Sequence, residues 1–172
     1  MRVRIGEDVS VPDTGLTTMK TQKGFSLIEL LIVVAIILII AAIAVPNLIK
    51  SRIAANESSA VSSVRSLNTA QVTYLNSCTV YAPSVSELNT GAICPSGANV
   101  IDSNLGSGTK SGYTFKTVSP GTTGGTSSVS FDVNADPVTA GVSGARHFYS
   151  NESGFVIRYN LAAPATVADP AL

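Results

Sequence analysis

Residues 30–45 form an unbroken run of 16 apolar side chains, LLIVVAIILIIAAIAV, and no other feature constrains the chain as strongly. The run sits inside a stretch of 20 residues without a charge, bounded by Glu29 and Lys50. At ~1.5 Å rise per residue such a helix reaches roughly 30 Å, the thickness of a bilayer's hydrocarbon core. A membrane-spanning helix over 29–49 is therefore expected. The rest of the chain is polar and balanced, with 11 basic and 11 acidic residues in 172. That balance gives no reason to expect nucleic acid or another polyanion as a main partner.

The segment ahead of the run reads Lys20-Thr21-Gln22-Lys23-Gly24-Phe25-Ser26-Leu27-Ile28-Glu29. Three readings compete for it. An ordinary secretory signal has a basic start, an apolar stretch and a small-residue cleavage site, which Ala42-Ile43-Ala44 supplies. That reading yields a soluble secreted domain. It leaves Glu29 unexplained, because a carboxylate costs about 2.5 to 3.5 kcal/mol at the centre of an inserting helix. A plain anchor tolerates Glu29 only where the side chain reaches the interface.

The third reading accounts for each residue. The pattern G-F-x-x-x-E followed by a long apolar stretch resembles the type III signal of type IV prepilins and pseudopilins. The resemblance implies cleavage by a prepilin peptidase between Gly24 and Phe25, and methylation of the new Phe25 amine. It makes Glu29 the fifth residue of the mature chain and Pro46 the family's helix-loosening proline; the 1–24 leader, with Glu7, Asp8 and Asp13, departs from the family's short basic form, and Met19, with 1–18 an upstream extension, is the alternative start. Glu29 is then the assembly charge. An intramembrane carboxylate needs a cation or a proton, and the family's cation is the α-amine of a neighbouring subunit, which exists only after cleavage. The partners implied are further copies in a helical filament, the peptidase, and an inner-membrane assembly platform with its ATPase. The implied locations are the inner membrane for precursor and subunit pool, and an extracellular pilus or periplasmic pseudopilus after assembly. A pilus subunit and a type II secretion pseudopilin remain alternatives, as do major and minor subunits and roles in adhesion, motility or DNA uptake.

Beyond the span, Ile53, Ala60, Val64, Leu67, Gln71, Tyr74 and Leu75 fall on one helical stripe. Ser58, Ser62, Arg65, Ser66, Thr69 and Thr73 fall opposite. One helix over 25–77 is expected, half membrane span and half amphipathic, roughly 80 Å long at ~1.5 Å per residue. Pro46 lacks an amide donor, which predicts a kink or melted turn near 42–46. Cys78 and Cys94 would close a loop of ~15 residues in an oxidising compartment, contributing about 3 kcal/mol. A pair of free buried thiols is the alternative.

The segment 78–110 reads as a connection, with a short helix at 83–88 and a turn at 102–105. Alternation at 111–118, 127–133, 146–150 and 154–160 predicts four antiparallel strands within 111–160, joined through the glycine-rich 121–126, a loop at 135–145 and a turn at 151–154. The fold class is α+β: a 78–172 head in which a small sheet covers the helix stripe, behind a 1–24 leader.

Nothing in the chain reads as catalytic. His147 is the single histidine and lies among strand residues. Gly121, Gly124 and Gly125 are not followed by Lys and Ser or Thr, so they read as a turn rather than a phosphate loop. No cofactor is expected. Asp132, Asn134 and Asp136 alternate like the first half of a calcium loop, but Pro137 and Ser143 stand where that loop needs Gly and Glu. A looser calcium site at these three residues stays open. Asn151-Glu152-Ser153 matches a glycosylation sequon.

Overall fold

A computed structural model describes residues 24–97, 99–118 and 130–172. The chain divides into two units, one ending at Ile40 and the other spanning Ala41–Leu172. In the first unit, every described residue from Gly24 to Ile40 is exposed. The second unit carries the head. Helix α1, Leu27–Cys78, passes from one to the other and contains Pro46 without a break in its helical assignment.

Within the second unit α1 buries Glu57, Ala60, Ser63, Val64, Leu67, Asn68, Ala70, Gln71 and Tyr74. The spacing of three and four residues keeps these on one face. The residues read as the opposite face are all exposed, while Ile53 and Leu75, expected on the stripe, are only half-buried. Facing α1 is an antiparallel sheet in the order β1-β2-β3-β4-β5, each strand beside its chain neighbour. The strands are β1 Thr109–Lys110, β2 Tyr113–Val118, β3 Asp132–Pro137, β4 His147–Asn151 and β5 Arg158–Asn160. Tyr113, Phe115, Val133, Ala135 and Phe148 alternate onto the inner face and close the core with Val64, Leu67 and Tyr74.

Five strands replace the four expected. The added strand, β1, has two residues, too few for a period-two pattern to show. Its partner register, Thr109 to Thr114 and Lys110 to Tyr113, makes it one arm of a tight hairpin. The third strand lies at Asp132–Pro137, so the loop expected from 135 begins three residues later than its sequence suggested. Aspartate and asparagine disfavour strands on propensity alone. Here β3 pairs with β2 on one side and β4 on the other, and that pairing overrides propensity. The last strand starts at Arg158 rather than 154, because Gly154 (φ 91°) and Phe155 (φ 56°) hold left-handed backbone that cannot continue a ladder. The glycine-rich stretch 121–126 lies outside the described residues.

The connecting segment is built by caps. Ser84 accepts from Glu87 N at 3.2 Å to start α2, Val85–Thr90, and Gly91 ends it at φ 59°. Asp102 accepts from Leu105 N at 2.9 Å to start α3, Ser103–Gly106. The short helix thus begins two residues after Pro83. Cys78 and Cys94 form a disulfide, with Cα atoms 6.1 Å apart. Buried Glu87 braces the same corner: its Oε1 accepts from Tyr74 Oη at 2.8 Å, Ile93 N at 2.9 Å and Cys94 N at 3.1 Å.

Candidate functional site: the amino-terminal junction and α1

Among the described residues nothing packs against the junction. A Cβ placed on Gly24 meets nothing within 4 Å, and Phe25 is 87% exposed. The helix begins immediately after. Leu30 N donates to Ser26 O at 3.2 Å, so Ser26 supplies the first intrahelical acceptor and stands as the N-cap of α1. Glu29 is the third residue inside the helix, and its Oε2 accepts from Ser26 N at 2.9 Å. This is the reciprocal half of a capping box, in which the third helical residue satisfies the N-cap amide. The Ser-x-x-Glu spacing at 26–29 is the sequence signal of such a box. The other carboxylate oxygen has no partner among the described residues.

Along the apolar run the side chains turn outward. Leu30, Leu31, Ile36, Ile37, Leu38, Ile39 and Ile40 are each more than half exposed, and α1 is long and apolar enough to cross a membrane. A surface of this kind in water would drive aggregation, so its natural surroundings are lipid or other apolar helices.

The head is locked to α1 by polar groups set into the buried stripe. Glu57 Oε1 accepts from Ala145 N at 2.9 Å and Arg146 N at 3.1 Å, and its Oε2 pairs with Arg146 Nε at 2.8 Å. Asn68 Nδ2 donates to Ser150 Oγ at 2.8 Å. Gln71 accepts from Ala82 N at 2.8 Å and donates to Ala82 O at 3.0 Å. Gln71 was on the predicted stripe, whereas Glu57 and Asn68 were not. Glu57 stands three residues before Ala60 and seven before Val64, and Asn68 four after Val64, so helical spacing alone placed both on it.

The outer face of the sheet absorbs the residues considered for calcium. Tyr149 Oη donates to Asp132, and Asp136 Oδ1 lies 2.7 Å from His147 Nδ1. Burial, reinforced by Asp132, pushes the Tyr149 phenol up to about 12. His147 is thus a hydrogen-bonded strand residue. Among the described residues no three His, Cys, Asp or Glu side chains gather as a cation site.

Residues 19–45 match the family described as "Prokaryotic N-terminal methylation motif". The type IV major pilin protein PilA of Myxococcus xanthus is 44% identical over 67 residues, which are 39% of this chain and 30% of that protein. Over this amino-terminal stretch the chain is similar to type IV pilins. Similarity to further pilus proteins is confined in the same way. The type IV wide pilus major component PilA4 of Thermus thermophilus is 59% identical over 39 residues, 23% of this chain and 30% of its own. A fimbrial protein of Pseudomonas aeruginosa is 56% identical over 52 residues, 30% of this chain and 34% of its own. The chain thus spans about a third of the length of these curated relatives. No solved structure matches.

Proposed function

We propose that this chain is a structural subunit of a type IV pilus. A prepilin peptidase cuts between Gly24 and Phe25, the new Phe25 amine is methylated, and the subunit waits in the inner membrane before an assembly platform and its ATPase add it to a helical filament of identical copies. The filament is extracellular. The role is structural and uses no cofactor.

The observation that carries this reading is the junction itself: Gly24 and Phe25, exposed among the described residues, directly before a wholly exposed apolar stretch, 27–40, whose single carboxylate is Glu29. A carboxylate at that depth needs compensation. One neutral amide, Ser26 N–H, supplies part of it within the chain. The α-amine released at Phe25 supplies a full positive charge, and on a neighbouring subunit it would neutralise both groups at once. The named pilus components among the relatives favour a pilus over a secretion pseudopilus.

Intact mass and N-terminal sequencing of the membrane-extracted protein, with electron microscopy of a deletion strain, test the reading. A mature chain beginning with N-methyl-phenylalanine and loss of surface fibres support it. A chain beginning at Val45 would establish a secreted domain behind an ordinary signal. Retained fibres with failed exoprotein release would establish the pseudopilus.

A further inference from the structure

The head carries a second feature, away from the amino-terminal junction. Strand β4 runs alongside α1: Arg146, just before it, is held by Glu57, and Ser150, four residues on, meets Asn68 eleven residues further along the helix. The chain entering β4 therefore lies on the Lys50 side of Glu57. That chain is the loop between β3 and β4, Val138-Thr139-Ala140-Gly141-Val142-Ser143-Gly144-Ala145, which with Pro137 makes nine residues without a charge between Asp136 and Arg146. Val138 is 58% and Val142 64% exposed.

The loop is rigidly placed. Ser143 O accepts from Asn56 Nδ2 at 2.8 Å, Ser143 N and Val142 N both donate to Thr139 O, and Val138 N donates to Gly112 O. Its two valines are thus held outward rather than left to collapse onto the core. Asn56 stands six residues beyond Lys50, about 9 Å along the helix. A bilayer's headgroup layer adds roughly 5 to 7 Å on each side of the hydrocarbon. With Lys50 at the hydrocarbon boundary, the loop held at Asn56 stands about 9 Å out, beside the headgroup layer. Lys50 and Arg52, both exposed, form no ion pair among the described residues.

We infer that the β3–β4 loop and the Lys50, Arg52 pair form a docking face for an anionic phospholipid surface, on which the head of the unassembled subunit rests. The valines enter the headgroup layer and the cations meet lipid phosphates, as at other membrane-flanking basic positions. This rests on α1 being a membrane span.

The chain has no tryptophan, so single replacements report cleanly. Full-length Val142→Trp, Ile93→Trp and Leu38→Trp proteins in vesicles of zwitterionic lipid, with and without phosphatidylglycerol, are compared by emission wavelength and by quenching from lipids brominated at known depth. In anionic vesicles Val142→Trp shifts to the blue and is quenched from shallow positions several-fold more than Ile93→Trp. Adding Lys50→Gln and Arg52→Gln lowers that quenching by roughly fivefold for each cation removed. Water-like, unquenched Val142→Trp beside deeply quenched Leu38→Trp overturns the docking face while leaving the span intact. Unquenched Leu38→Trp removes the span as well. A Val142→Trp shift confined to assembled filaments would make the loop a contact between subunits and overturn the lipid assignment.

Discussion

Glu57 and Arg146, 89 residues apart in the chain, meet at 2.8 Å and join the long helix to the entrance of β4. The carboxylate is buried, while the guanidinium remains 36% exposed and lies over the Phe148 and Tyr159 rings at 5.6 and 5.7 Å. One helical side chain thereby holds two backbone amides and a cation belonging to the sheet.

Replacing Glu57 with Ala should cost about 2 kcal/mol, because two amides lose a charged acceptor, each such loss being worth about 1 to 3 kcal/mol when water cannot replace it. The exposure of Arg146 limits the contribution of the charge itself. Denaturant unfolding of the detergent-solubilised protein should show the loss, with Glu57→Gln retaining part of it. An unchanged midpoint for Glu57→Ala would mean that packing alone fixes the head on α1.

At the other end of α1, Glu29→Val should insert, be cleaved after Gly24 and accumulate, yet yield few filaments. Leaving one member of a buried ion pair uncompensated costs on the order of 3 to 5 kcal/mol, repeated at each subunit. Sheared-filament yield against membrane pool measures the effect. Normal filament numbers from Glu29→Val alone would show that the charge pair does not register the helices.

Gly24→Ala separates folding from recognition. An added Cβ meets nothing within 4 Å, so stability should be unchanged. Any loss of processing, read as retained precursor mass, then reports the demands of the peptidase alone.

Gly97 is the contrasting glycine. A Cβ there would come 2.4 Å from the Tyr74 ring and 2.8 Å from Cys78 Sγ, so Gly97→Ala should destabilise by about 1 to 3 kcal/mol through overpacking. Replacing Cys78 and Cys94 together by Ala should cost about 2 to 4 kcal/mol. Thermal melting of each variant checks both figures.

Alkaline pH should loosen the same corner. Burial, with Glu87 adding to it, raises the Tyr74 phenol from 10.0 to about 12, and burial with Asp132 does the same for Tyr149. A folded value above the unfolded one means that the folded state holds the proton longer. The stabilisation is complete below pH 10 and is lost as pH rises through 12. Tyrosinate absorbance should therefore lag that of free tyrosine and rise together with loss of structure.

The sequence announced the parts whose signal is local and repeated. The span, the stripe through Ala60, Val64 and Leu67, and the alternation of Tyr113, Phe115 and Thr117 were legible from spacing. What escaped depends on partners far along the chain. Asp132, Asn134 and Asp136 look like loop residues until β2 and β4 flank them, and Glu57 looks like a surface carboxylate until Arg146 arrives. Ser26 and Glu29 are different, a capping pair whose Ser-x-x-Glu signal is wholly local. The disulfide followed from two cysteines and an expected oxidising compartment.

The strand order has a consequence for export. Each strand pairs with the one just before it in the chain, so a head emerging from the membrane can add strands one at a time without waiting for a distant partner. Short separations of this kind favour fast folding. The Cys78 and Cys94 staple emerges ahead of all five strands. The late closure is the one between α1 and β4: until Phe148 and Arg146 are delivered, the cover that Tyr113, Phe115 and Val133 begin over the helix stripe is incomplete, and unfinished heads would be the ones that stick to one another.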